Sequence, residues 1–266
     1  MFRLESHGTN KEPQQMKYLL LFALSSLAIG AQAFIITQDD FESLSVGALN
    51  NRNGWESIDY FPVEEGPKVR SAMAGITPLS GSKMLEVPNY YTGAGGGAKS
   101  VTKNDLFERP EPAAICDVSF AISESTYVKQ EVQFQVAMFS YQSIFCEYSP
   151  VTGTWRFGGK SIQKKISFID WNRLSIRIDW VSKKTALSLN GVELLQGSLQ
   201  PVGGTNIRRI TKFYLTTFNA SNLTGYDPFT GSPGFFYDDY RVSAVPEPIS
   251  IITFGAGALV LIRRRK

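Results

Sequence analysis

The segment Asn172–Trp180, NRLSIRIDW, limits the possible folds of this chain more than any other. Leu174, Ile176, Ile178 and Trp180 alternate without a break with Arg173, Ser175, Arg177 and Asp179. A period of two puts every second side chain on one face of an extended strand. One face is then apolar and the other polar, which predicts a half-buried strand of an antiparallel sheet. Val181–Lys184 turns the chain into TALSL, where Leu187 and Leu189 face inward. Asn190-Gly191 is a hairpin signal ahead of Val192–Leu194.

Further strands are predicted at Phe34–Thr37, Met84–Val87, 113–123, 131–141, 143–149, 154–159, 212–219 and 235–245. Between residues 56 and 83 the prolines and glycines allow only short ones. The run Thr92–Ala98, TGAGGGA, is a loop with no Gly-Lys-Ser/Thr after it, so it is not a phosphate cradle. No helical period and no repeat occurs between 34 and 245. The expected fold is all-β: an antiparallel sandwich of two packed sheets over residues 34–244, a length that suits one large domain.

Both ends of the chain differ from this pattern. Met16-Lys17, the apolar run Tyr18–Gly30 and Ala31-Gln32-Ala33 have the order of a signal peptide, residues 16–33, with Phe34 as the mature N-terminus. Residues 1–15 are polar and read as a start called too early. At the other end, residues 245–266 begin with Pro246-Glu247-Pro248, which ends regular structure. Ile249–Ile262 is uncharged, and Arg263, Arg264, Arg265 and Lys266 follow. As a helix the apolar run spans about 21 Å, short of the ~30 Å hydrocarbon core. The basic cluster is expected to stay cytoplasmic, leaving the rest of the chain outside.

This tail resembles the PEP-CTERM sorting signal of bacterial exported proteins. The resemblance implies a short C-terminal transmembrane helix, processing by exosortase, a membrane cysteine protease, and a link to exopolysaccharide. The ends also account for the basic charge. From Phe34 to Pro248 there are 20 Lys+Arg against 22 Asp+Glu, which removes the case for nucleic-acid binding. The one histidine, His7, precedes the signal peptide, so the exported part has no Ser-His-Asp or Cys-His nucleophile and no His-ligated zinc. Its two cysteines, Cys116 and Cys146, are expected to form a disulfide in an oxidising compartment, with two buried thiols as the alternative.

Three stretches of the domain together are similar to a concanavalin A-like or laminin-G-like jelly roll. They are DDFES with GWE near the start, the meander from Trp171 to Leu194, and Tyr237–Val242, YDDYRV. The resemblance implies neighbouring first and last strands and relatives among lectins, carbohydrate-binding modules and endoglucanases. It also implies one structural calcium ion on the final strand, with Asp238 in the ligand position, Asp239 one register away and Asp40 or Asp39 as a second carboxylate. The Glu-x-Asp-x-x-Glu strand of the endoglucanases is absent. The nearest polar face, Glu131, Gln133 and Gln135, holds two amides, and nothing in the sequence pairs it with Glu147 or Asp170. Catalysis is therefore not expected. Exposed aromatics for stacking on sugar are sought near turns, at Tyr60, Phe61, Tyr90, Tyr91 and Trp155. The expectation is an exported, non-catalytic, carbohydrate-binding-like surface or matrix protein associated with exopolysaccharide. The alternatives are a surface protein with no specific ligand and, last, a polysaccharide hydrolase or lyase.

Overall fold

In the computed structural model, the residues described are 33–49, 52–57, 67–87, 99–104, 112–123, 130–139, 141–202, 209–219 and 234–245. The expected signal peptide (apart from Ala33), the Pro-Glu-Pro motif and the basic cluster at 263–266 lie outside them. Among the described residues no helix is long and apolar enough to cross a membrane.

Phe34–Ala244 is one unit built from strands. Its first half holds β1 (Phe34–Asp39), β2 (Gly47–Ala48), β3 (Trp55–Ser57), β4 (Lys68–Arg70), β5 (Met84–Val87), β6 (Lys99–Asn104) and β7 (Ala113–Ile122). Then come β8 (Gln130–Phe139), β9 (Ile144–Ser149), β10 (Thr154–Phe157), β11 (Lys160–Gln163) and β12 (Asn172–Asp179). Last are β13 (Lys184–Leu189), β14 (Val192–Ser198), β15 (Arg209–Asn219) and β16 (Phe235–Val245). The first sheet runs β14-β13-β12-β7-β16-β5-β4-β2, with β1 also on β16; the second runs β11-β10-β9-β8-β15-β6-β3. First and last strands are neighbours, Phe34 opposite Ala244 and Asp39 opposite Tyr240. This is a two-sheet jelly-roll sandwich.

Alternation drives the packing. Leu174, Ile176, Ile178 and Trp180 are all buried, as are Leu187 and Leu189. The Asn190-Gly191 turn has both φ angles positive, 50° and 79°, which suits the right-handed twist of a two-residue hairpin. Aromatic rings bridge the sheets. Phe120 on β7 meets Phe134 on β8 edge-on at 5.4 Å, and Phe134 meets Tyr237 on β16 at 6.0 Å. Gly158 is required where the layers come closest, since a Cβ there would lie 2.6 Å from the Gly197 Cα.

Strand β16 changes parity halfway. Phe235 and Tyr237 face the core before Asp238, and Tyr240, Val242 and Ala244 face it afterwards. Asp239 absorbs the extra residue with a left-handed φ of 47°, as in a bulge. Beside it a second, smaller apolar cluster of Ile76, Met84, Ala121 and Phe236 is packed by Met73, Ile169 and Trp171.

The cysteines correct one expectation: both are free and buried. Cys116 lies on β7 of the first sheet and Cys146 on β9 of the second, each turned into the core. Packed sheets stand about 10 Å apart, while a disulfide needs Cα atoms within about 7 Å. Burial pushes both thiols well above the ordinary cysteine value. The native protein should therefore resist alkylation at neutral pH, and the denatured, unreduced protein should take label at both positions. A peptide map that joins them would overturn the assignment.

Candidate functional site

The outward face of the second sheet gathers polar groups and exposed aromatics. On β8, Val132, Phe134, Val136 and Met138 are buried, which turns Gln133, Gln135, Ala137 and Phe139 outward. Register then lines up one row across five strands: Thr216 opposite Gln133, Gln133 opposite Glu147, Glu147 opposite Arg156, and Arg156 opposite Ser161. Gln133 Nε2 donates to Glu147 Oε1 at 2.9 Å, and Arg156 Nη1 approaches Glu147 Oε2 at 3.5 Å. The next row places Tyr214 opposite Gln135 and Gln135 opposite Phe145, with Lys212 two residues along β15 from Tyr214. Phe145 and Phe139 are 46% and 48% exposed. Phe145, Glu147 and Arg156 border a shallow cavity of about 370 Å³, with the amides of Gln142 and Gln200 on its rim.

Of the aromatics proposed from sequence, Trp155 is not on this face. Its ring is fully buried, 4.4 Å from Tyr148, and its Nε1 donates to the Lys164 carbonyl. On a strand as short as β10 the alternation inverts the expectation: Trp155 and Phe157 turn in, Thr154 and Arg156 out. Tyr60, Phe61, Tyr90 and Tyr91 lie outside the described residues. The structure supplies Phe145, Phe139 and Tyr214 instead. Parity marked each of them, since they alternate with Cys146, Met138 and Phe213, but only strand pairing brings them together.

The acidic residues divide into buried and exposed. Asp238 is fully buried, and its carboxylate accepts the backbone N–H groups of Leu79 (2.8 Å), Ser80 (3.1 Å) and Asp239 (2.8 Å). Asp39 is similarly filled, by the N–H groups of Phe41, Asn53 and Trp55. Three amide donors on one carboxylate compete with a cation, and among the described residues no three acidic, histidine or cysteine side chains gather as a metal cage. The donor set at Asp238 thus fits a loop anchor better than a calcium ligand. Asp40 and Asp239 remain exposed and border a separate, larger cavity. Glu42 ties down the same loop, accepting the N–H groups of Ser82 and Lys83 at 2.6 Å each.

Comparison with known proteins agrees with both parts of the chain. Residues 244–266 match the PEP-CTERM protein-sorting motif. The motif implies an exported protein, sorted through exosortase and anchored in the membrane before processing. No curated protein matches the chain. Among solved structures it is similar to an endo-beta-1,4-glucuronan lyase from the fungus Trichoderma reesei, at 16% identity and TM-score 0.53, covering 80% of this chain and 96% of that one. It is also similar to a GH131 beta-glucanase catalytic domain from Podospora anserina, at 12% identity and TM-score 0.50, covering 80% and 97%. A carbohydrate esterase from Shiga toxin-encoding bacteriophage phi24B aligns at 9% identity and TM-score 0.50, over 81% of this chain and all of that one. These likenesses show a shared sandwich, and three different chemistries on one sandwich fix no activity for a fourth.

Burial pushes the Asp238 carboxyl up to about 6, against the opposing pull of its amide bonds. The folded state then holds a proton that the unfolded chain has already lost above the ordinary value of 3.8. Its contribution to stability is greatest below that value and falls as pH rises through about 6. The melting temperature of wild type relative to Asp238→Asn should fall from pH 4 to pH 7, and a flat difference would refute the shift. Replacing EDTA with millimolar calcium should leave the wild-type curve unchanged. A rise of several degrees that Asp238→Asn abolishes would instead assign this carboxylate to a cation.

Proposed function

We propose that this exported, exosortase-sorted protein is a non-catalytic polysaccharide-binding module of the cell surface or extracellular matrix, and that its ligand is exopolysaccharide. The observation that supports this is the outward face of the second sheet. Sugar rings offer apolar C–H faces and hydroxyl edges, so a binding surface needs exposed aromatic rings beside fixed donors and acceptors. Phe145, Phe139 and Tyr214 supply rings; Gln133, Gln135, Glu147 and Arg156 supply polar groups held by cross-strand register.

Glycoside hydrolysis needs two carboxyl groups across the scissile bond, about 5 to 9.5 Å apart. Among the described side chains this row has one, Glu147, and it is engaged by Gln133 and Arg156. One observation favours a lyase as the second reading: Tyr214 stands beside Lys212 and opposite Gln135. A phenol can move a proton while an ammonium and an amide hold a uronate carboxylate.

Affinity electrophoresis through the producing organism's own exopolysaccharide tests both readings. Wild type should be retarded, and Phe145→Ala should lose about tenfold in affinity, equivalent to ~1.4 kcal/mol. Equal mobility with and without polysaccharide would leave a surface protein with no specific ligand. New unsaturated chain ends on prolonged incubation, lost in Tyr214→Phe, would establish the lyase.

A further inference from the structure

We infer that the cavity bordered by Asp40 and Asp239, on the outward side of the first sheet, is a second sugar site and takes a neutral sugar ring. It encloses about 530 Å³, within the ~300–1,000 Å³ of small-molecule sites. It shares none of its lining with the face described above. The inference takes its ligand class from the proposed function, but the site is tested independently of it.

Both signs of charge border the cavity. The guanidinium groups of Arg173 and Arg241 approach the same Asp117 oxygen at 3.0 and 3.4 Å. One carboxylate fixes two cations, so each guanidinium is held in place with further N–H donors to offer. Asp40 and Asp239 are also held: the Glu42 N–H donates to Asp40 at 3.1 Å and the Ser80 hydroxyl to Asp239 at 2.8 Å. Asp39 also borders the cavity, but its oxygens already accept three N–H bonds. Trp171 adds a half-buried indole, pinned by its Nε1 to the Thr77 carbonyl at 2.8 Å.

This combination selects for hydroxyl groups. An anionic ligand that satisfies the arginines is repelled by Asp40 and Asp239, and a cationic one meets the reverse. A hydroxyl donates and accepts at once, so a polyol can give its protons to the carboxylates and receive bonds from the guanidinium groups. Hydrogen bonds with one charged partner are about twice as strong as neutral ones. The indole provides an apolar surface for the ring's C–H face.

Calorimetry on the purified exported protein, in EDTA, tests the site with neutral methyl hexosides and their uronate and 2-amino counterparts. At least one neutral hexoside should saturate, with both charged counterparts at least tenfold weaker. Asp239→Asn, which keeps a residue that tolerates the left-handed backbone, should weaken that hexoside tenfold or more. Arg173→Gln should do the same. Phe145→Ala should leave hexoside binding intact, and Asp239→Asn should leave retardation by the polysaccharide intact, so failure at one site is read apart from failure at the other. Absence of saturation by any neutral hexoside, preference for a charged one, or wild-type binding in both variants would overturn the inference.

Discussion

A buried carboxylate at the start of the domain fastens the two sheets. Asp39, the last residue of β1, accepts the indole N–H of Trp55 at 2.7 Å, the Asn53 amide at 2.9 Å and the Phe41 backbone N–H at 2.9 Å. β1 belongs to the first sheet and Trp55 to β3 of the second, so one side chain spans the layers at their edge. The indole then packs edge-on against Tyr240 of β16 at 5.1 Å and lies 5.5 Å from Phe41. Phe41 reaches that position only through a left-handed φ of 61°, an unusual conformation for an aromatic residue. Each donor orphaned by loss of the carboxylate would cost about 1–3 kcal/mol. The neighbouring first and last strands, and with them the closure of the sandwich, depend on this corner.

The bulge at Asp238 and Asp239 has a different consequence. A regular strand would send both acids to opposite faces and leave the outward side of the first sheet flat. The bulge instead sets Asp238 beneath the 77–83 loop, where it binds two of the loop's amides, and leaves Asp239 exposed at the edge. Trp171 and Glu42 hold the loop at two further points, Thr77 and Ser82–Lys83. Gly81 lies between them with a φ of 60°, in the left-handed region that favours glycine. The anchored loop also borders the larger cavity, through Leu79. Loop anchoring and cavity shape are the same set of contacts.

What the sequence disclosed, and what it withheld, follows from the range of each interaction. The strand at 172–179 was legible because alternation is local, and so were Met84–Val87 and Phe235–Val245, whose predicted bounds match the observed strands. DDFES and GWE entered only as part of a fold likeness, and the Asp39–Trp55 hydrogen bond was not legible from them. The two- and three-residue strands β2, β3 and β4 carry too few positions for any period, and each is held by partners elsewhere in the chain. Trp155 misled because proximity to a turn suggested exposure, whereas parity with Phe157 decided its direction. Cys116 and Cys146 misled because spacing along the chain says nothing about which sheet each joins. The row from Thr216 to Ser161 was invisible for the same reason: Gln133 and Thr216 are 83 positions apart until β8 pairs with β15.

A sandwich keeps its two outward faces on opposite sides of a dry core, and this separates what they can do. On the proposed readings, the face bearing Phe145, crossed by rows of side chains, takes a polymer that continues past the protein, and the cavity near Asp239 takes one ring or a chain end. A molecule that engages sugar on both sides joins two strands of polysaccharide instead of decorating one. On the proposed function, export would bring such a module to the polymer, and the PEP-CTERM motif implies anchoring in the membrane before processing. The near balance of 20 basic against 22 acidic residues from Phe34 to Pro248 is compatible with the proposed role: with little net charge, selectivity would fall to the shape and hydrogen bonds of the two faces.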